Sequence, residues 1–181
     1  RIKETVDKVI EEVRRVLEEV RTTVKRTDER IKEVLEEVEE TVRRTLEEIR
    51  RVLEELERAI KDKDKLDKVR KKVEEVLRRS ERSLERAEEI VRKANKESKD
   101  SLDEAERIVR EVIKELERVL KDNVRDEDIR DLVRKIKEEL RRIVEKNREL
   151  MEKVERELRR IVEENERLAR RIKEELDRDM K

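Results

Sequence analysis

Residues 80–95 read SERSLERAEEIVRKAN, and residues 98–113 read SKDSLDEAERIVREVI. The two segments share Ser, Ser, Leu, Ala, Ile and Val at matching places, displaced by eighteen residues. Eighteen residues are five turns of an α-helix at 3.6 residues per turn, so this repeat returns to the same face without drift. A strict heptad would drift by about 20° per repeat and impose a left-handed supercoil, and an eleven-residue repeat would impose the opposite hand. The spacing predicts a long, nearly straight helix whose buried face is built partly of serine.

The same interval runs outward in both directions. VLEEV begins at Val16 and again at Val34, VLEEL begins at Val52, and IVEKNRELM from Ile143 returns as IVEENERLA from Ile161. Ile2, Val20, Val38 and Leu56 are in phase, as are Leu66, Leu84, Leu102 and Leu120, and Leu132, Leu150 and Leu168. On a helical wheel the apolar residues of each third fill one stripe about 120–140° wide, with no second stripe. A solitary charged helix would need no such face. Each stripe demands a partner.

The phase lapses in two places, KDKDKLDK at 61–68 and KDNVRDED at 121–128. Asp62 or Asp64 is expected to cap the second helix and Asp126 the third, where Glu127 and Asp128 also favour the positive helix end. Asn123 is the expected left-handed residue closing the second helix, since no glycine exists to do so. KANKESKDS at 93–101 resembles a break, but the repeat passes through it unchanged. The expected fold is all-α: an antiparallel up-down-up three-helix bundle of nearly untwisted helices. It forms a single three-helix rod over residues 1–181, with helix 1 at about 2–61, helix 2 at about 64–121 and helix 3 at about 126–180. Each helix would be on the order of 85–90 Å long. Surface pairs Glu39–Arg43, Glu40–Arg44, Glu47–Arg51 and Glu155–Arg159 have the favourable i,i+4 order. Helices this long make nucleation a small part of the cost, so hyperstability is expected, with thermal unfolding above about 90 °C.

Polar residues inside the stripes carry the most information. Helix 1 places Thr27 and Thr45 near mid-stripe, with Thr23 and Thr41 one turn earlier. Helix 2 centres on Ser80 and Ser98, flanked by Ser83 and Ser101, and helix 3 centres on Asn147 and Asn165. With turns near 62.5 and 122.5, facing indices should sum to about 125 between helices 1 and 2, and to about 245 between helices 2 and 3. Thr27 with Ser98 and Thr45 with Ser80 meet the first condition; Ser98 with Asn147 and Ser80 with Asn165 meet the second. One repeat away, Val9, Leu116 and Ile129 align in an apolar layer.

Two Thr–Ser–Asn layers are therefore expected to form interhelical hydrogen-bond networks. A slip of one turn would set Asn against Leu or Val and leave it unpaired. In the competing arrangement each hydroxyl bonds only the carbonyl four residues back, leaving Asn to find water. Small residues Ala87, Ala94 and Ala105 accompany the serines, either to let the helices approach or to form a groove for a partner helix. Asn95, at the stripe edge, fits a surface position or a place in the network.

Composition narrows the function classes. Of 181 residues 60% are charged, with 54 basic and 54 acidic side chains, and the chain has no Gly, Pro, Cys, His, Phe, Tyr, Trp or Gln. Average Gly and Pro usage would supply about twenty such residues in a natural chain of this length. Without Cys or His the usual nucleophiles, bases and metal ligands are missing. No Lys or carboxylate is expected inside a stripe, where burial would shift its pKa. Catalytic, cofactor-binding and metal-binding residues are all expected to be none, and the chain is not expected to be an enzyme.

Residues 1–61 carry 16 basic and 18 acidic side chains, while 62–122 and the remainder each carry 19 and 18. No third is a basic face and no aromatic is present, which excludes nucleic acid. A membrane surface is excluded too, because the core needs the stripes and the polar faces are mixed in sign. The opening RIKETVDKVIEE has neither an apolar signal core nor an initiating Met, as expected where a tag has been removed.

The straight eighteen-residue repeat, the restricted alphabet and the stacked Thr/Ser/Asn layers resemble de novo designed parametric helical bundles with buried hydrogen-bond networks. The resemblance covers essentially the whole chain. It implies an idealised scaffold with no natural activity or compartment, needing no cofactor or partner, soluble and made recombinantly in a host cytoplasm. Such proteins also serve as homo-oligomer building blocks or as cages for a partner helix. A monomer is expected here, with a homo-oligomer as the alternative. This chain departs from the pattern in turns that lack glycine.

Overall fold

The computed structural model describes residues 2–119, 121–122 and 125–180. It contains three long helices: α1 (Ile2–Ala59), α2 (Lys63–Val119) and α3 (Asp126–Met180). They pack against one another as an all-α three-helix bundle. The helices end within two residues of the boundaries read from the charged turns. Their composition explains their continuity, because Glu, Lys, Arg, Leu and Ala are good helix formers and no Gly or Pro interrupts them.

The first connection is three residues, Ile60 to Asp62. Ile60 N–H still donates to Leu56 O at 2.8 Å, closing the last turn of α1. Asp62 is the capping residue of α2: its Oδ1 accepts from the backbone N–H of Asp64 at 3.1 Å. Asp64 occupies the first turn, where its charge faces the positive helix end.

At α3 the expectation needs correction. Asp126 is the first helical residue, and the capping place before it belongs to Arg125, whose side chain has no acceptor. Arg125 contributes its carbonyl instead, accepting from Asp128 N–H at 3.1 Å, while Asp126, Glu127 and Asp128 set three negative charges in the first turn. Asn123, read as a left-handed terminator, lies outside the described residues, as does Leu120. Among the described residues no backbone φ is positive, so the first turn is closed without left-handed geometry.

The chain divides into two compact units. Unit 1 holds residues 1–30 and 93–152; unit 2 holds 31–92 and 153–181. The core of unit 1 comprises Val6, Val13, Leu17, Val20 and Val24 of α1, Ala105, Val109, Val112 and Leu116 of α2, and Ile129, Val133, Ile136, Leu140 and Ile143 of α3. The α3 set advances by alternating steps of four and three, which is the signature of one inward helical face. A core cluster of unit 2 joins Ile49 and Leu56, Val69, Val73 and Val76, and Ala169, Ile172 and Leu176. Full burial of a Val, Leu or Ile side chain stabilises by about 1.5–3 kcal/mol. Without aromatics, many such modest contributions must accumulate.

Ion pairs at the helix edges report the pairing. Between α1 and α2, Arg21 Nε meets Glu106 at 3.3 Å in unit 1 and Arg70 Nε meets Glu57 at 3.3 Å in unit 2; each pair of indices sums to 127. That constant sum is the mark of antiparallel neighbours and lies close to the expected 125. Between α1 and α3, Lys137 bonds Glu12 in unit 1 and Lys173 bonds Glu48 in unit 2, both separated by 125 residues. The constant difference is the mark of a parallel pair. The two lysines are two eighteen-residue repeats apart, so each unit has the same α1–α3 register. Among the surface pairs expected within helices, Glu40–Arg44 closes at 2.5 Å and Glu155–Arg159 at 3.9 Å. An exposed pair such as Glu40–Arg44 contributes little individually.

Candidate functional site: the buried polar layers

The helical phase carries the uncharged polar residues inward. Thr27, Ser80, Ser83, Ser98, Asn147 and Asn165 are buried, whereas Thr23, Thr41, Thr45 and Ser101 are half-buried at the stripe edges. Asn95 is exposed and is a surface residue. Ala87, Ala94 and Ala105 are buried within the bundle, with at most 2% exposed, so they do not line an open groove.

In unit 1, Thr27, Ser98 and Asn147 make the first layer. Ser98 Oγ–H donates to Asn147 Oδ1 at 3.1 Å, joining α2 to α3 in a fully buried setting. Their indices sum to 245, the value derived from the turn positions. Thr27 does not join them: its Oγ1–H donates to Thr23 O in its own helix at 2.9 Å. Asn147 Nδ2 has no protein partner. Asn147 also lines a cleft of about 300 Å³ with Glu97, Asp100, Ser101, Glu104, Lys146 and Leu150.

In unit 2 the corresponding residues behave differently. Thr45 donates to Thr41 O at 3.0 Å, and Asn165 Nδ2 donates to Ile161 O at 3.0 Å. Both bonds stay within one helix. Ser80 Oγ and Asn165 Oδ1 are buried without a protein partner. The expectation of two equivalent interhelical networks is therefore replaced by one interhelical bond in the first layer and self-bonded side chains in the second. The reason is local: a carbonyl one turn back is always within reach of a helical Thr, and using it demands no particular spacing from a neighbouring helix.

Next to Thr27 in the first layer stands a carboxyl group, that of Asp28. Asp28 is half-buried, and its Oδ1 is buried without a partner. Burial raises its pKa from the ordinary aspartate value, with the Ser98 hydroxyl opposing the shift. This overturns the expectation that no carboxylate lies where burial could perturb it. The signal was in the repeat, because Asp28 occupies the phase of Ile10 and Leu46, both apolar. At the surface, hydrogen bonding to Glu18 raises the pKa of Arg21, with Glu106 adding to the effect.

The chemistry available here is hydrogen bonding between neutral groups, next to one carboxyl. Ser98 is wholly buried, so its hydroxyl is closed to a substrate, and no imidazole or thiolate exists to activate it. Among the described residues no group of three or more Asp or Glu is arranged to hold a metal ion, and no helix is long and apolar enough to cross a membrane. No family model matches the chain, and no curated protein or solved structure was found to be similar to it.

Proposed function

We propose that this chain is a de novo designed structural scaffold, a protein whose encoded property is its three-helix fold and whose buried polar positions specify helix register and pairing. The observation carrying this reading is the Ser98–Asn147 bond, which joins two helices at the register set by the turn positions. Three further features support it. The eighteen-residue phase spans the chain, eight residue types are unused, and 54 basic and 54 acidic side chains leave no net charge to attract a charged partner. No catalytic residue, metal or cofactor belongs to this function. Neither nucleic acid nor a membrane is a partner.

The alternative is an interaction module, either a homo-oligomer building block or a cage for a partner helix. The burial of Ala87, Ala94 and Ala105 weighs against the cage, since it leaves the small-residue stripe of α2 covered. Light scattering across a concentration series separates the two readings. The scaffold reading predicts a constant mass near the chain mass of 22.3 kDa. A mass that settles at a multiple of this value overturns the monomeric scaffold in favour of the oligomer.

A further inference from the structure

We propose that the cleft between α2 and α3 in unit 1 is a binding site for a small hydroxylated ammonium ion. The Asn147 carboxamide holds it at the floor, and the carboxylates of Glu97, Asp100 and Glu104 hold it at the rim. This site lies outside the scaffold reading and does not depend on it.

The floor supplies one unanswered donor. Asn147 is only 1% exposed. Its Oδ1 accepts from Ser98 Oγ–H at 3.1 Å, which fixes the end of the carboxamide that faces Ser98. The other end, Nδ2, is buried without a protein partner, and Asn147 lines the cleft of about 300 Å³. A buried N–H left unpaired is costly, so the cleft favours a ligand that brings an acceptor.

The rim supplies the charge. Glu97, Asp100 and Glu104 follow one another at steps of three and four along one face of α2, and all three are exposed. Among the described residues none of them has an ion pair, and the cation lining the cleft is Lys146 of α3. Three carboxylates against one ammonium leave the cleft acidic. The repeat shows that this rim is particular to unit 1. Eighteen residues earlier on α2 the same positions hold Arg79, Arg82 and Arg86, and eighteen later on α3 Glu164 takes the place of Lys146. Ser83, Asn165 and Leu168 meanwhile match Ser101, Asn147 and Leu150. The uncharged positions keep their type and every charge changes sign. Asn165 also commits Nδ2 to Ile161 O, so the counterpart offers neither the free donor nor the acidic rim.

These two demands define the ligand. A bare cation answers the carboxylates but brings no acceptor to Nδ2–H, and among the described residues no group of three or more Asp or Glu is arranged to hold a metal ion. A neutral alcohol answers Asn147 but not the charge. A two-carbon amino alcohol in its ammonium form answers both. Its hydroxyl oxygen accepts from Asn147 Nδ2–H, its hydroxyl proton goes to Ser101 Oγ, and its ammonium sits among the carboxylates. Its two methylenes lie against Leu150, the apolar wall of the cleft.

The test is an NMR titration of the full chain at neutral pH and constant ionic strength, following the side-chain amide signals of Asn147 and Asn165. Three probes are compared: 2-hydroxyethylammonium, ethylammonium, which lacks the oxygen, and ethanol, which lacks the charge. 2-Hydroxyethylammonium should move the Asn147 signals saturably and bind about tenfold more tightly than either control, the difference that one well-placed hydrogen bond makes. The Asn165 signals should stay still. Asp100→Asn combined with Glu104→Gln, both at exposed positions, should bring the affinity down to that of ethanol. Equal binding of ethylammonium overturns the site, because charge alone then accounts for it, and equal shifts at Asn165 do the same. Asn147 signals that stay still with 2-hydroxyethylammonium also overturn it and leave the cleft to water.

Discussion

Leu116→Ala should lower the unfolding free energy by about 2–5 kcal/mol, the largest loss expected from any single substitution considered for this chain. Leu116 is fully buried in the core of unit 1 and shares the repeat phase of Ser80 and Ser98, so it is the apolar version of the position that is polar in the two layers. Truncation removes the transfer free energy of the lost carbon atoms and leaves a cavity between three helices. Long helices hold their spacing through many other contacts, so collapse around one cavity should be incomplete. Guanidinium unfolding followed by circular dichroism measures the loss. A change below about 1 kcal/mol would show that the helices close in on the void and that packing at this layer is loose.

The second large effect is a contrast between two serines. Ser98→Ala should destabilise by about 1–3 kcal/mol, because it removes the partner of a buried carboxamide and adds Asn147 Oδ1 to the unpaired atoms of that layer. Ser80→Ala should be neutral or stabilising, because Ser80 Oγ is already buried without a protein partner. The two residues are eighteen apart on the same helical face and differ in exposure by only 1%. Their side chains have equal size, so the difference reports hydrogen bonding rather than volume. Parallel denaturation of the two variants checks it. Equal losses would mean that both serines act through packing or through their own helix.

How much of this was legible in the sequence depends on what each feature requires. Helix boundaries were readable because the apolar phase stops at Lys61 and Lys121, and Asp62 could be named as one of two caps from its chemistry alone. The Ser98–Asn147 register was readable because turn position and an eighteen-residue period leave little freedom in an antiparallel pair. The choice made by Thr27 and Thr45 was not. A threonine inside a helix has a carbonyl within reach four residues back as well as a neighbour across the interface, and the residue type is the same in either case.

Asp28 is a different kind of miss. Its phase with Ile10 and Leu46 was present in the sequence, but one aspartate among 54 acidic residues reads as surface charge until the repeat is applied to polar positions as strictly as to apolar ones. The start of α3 carries a similar lesson. Asp126, Glu127 and Asp128 all suit a helix N-terminus, and composition does not say which residue stands at the cap and which in the first turn. There Arg125 takes the capping place, and the three acids act through the helix dipole instead.

The proposed role of the buried Ser98–Asn147 bond is to specify how the helices align, so register itself is the quantity to measure. Asp103 on α2 and Arg142 on α3 are exposed, belong to unit 1 and have indices that sum to 245. Spin labels at these two positions report the alignment as a distance distribution. The parent and Asn165→Leu should each give one narrow distance, because Asn165 bonds only its own helix. Asn147→Leu should broaden the distribution and add a population consistent with a slip of one helical turn, about 5.4 Å along the helix axis. A single unchanged distance in Asn147→Leu would contradict that role, and register would then belong to the apolar stripes and turns alone.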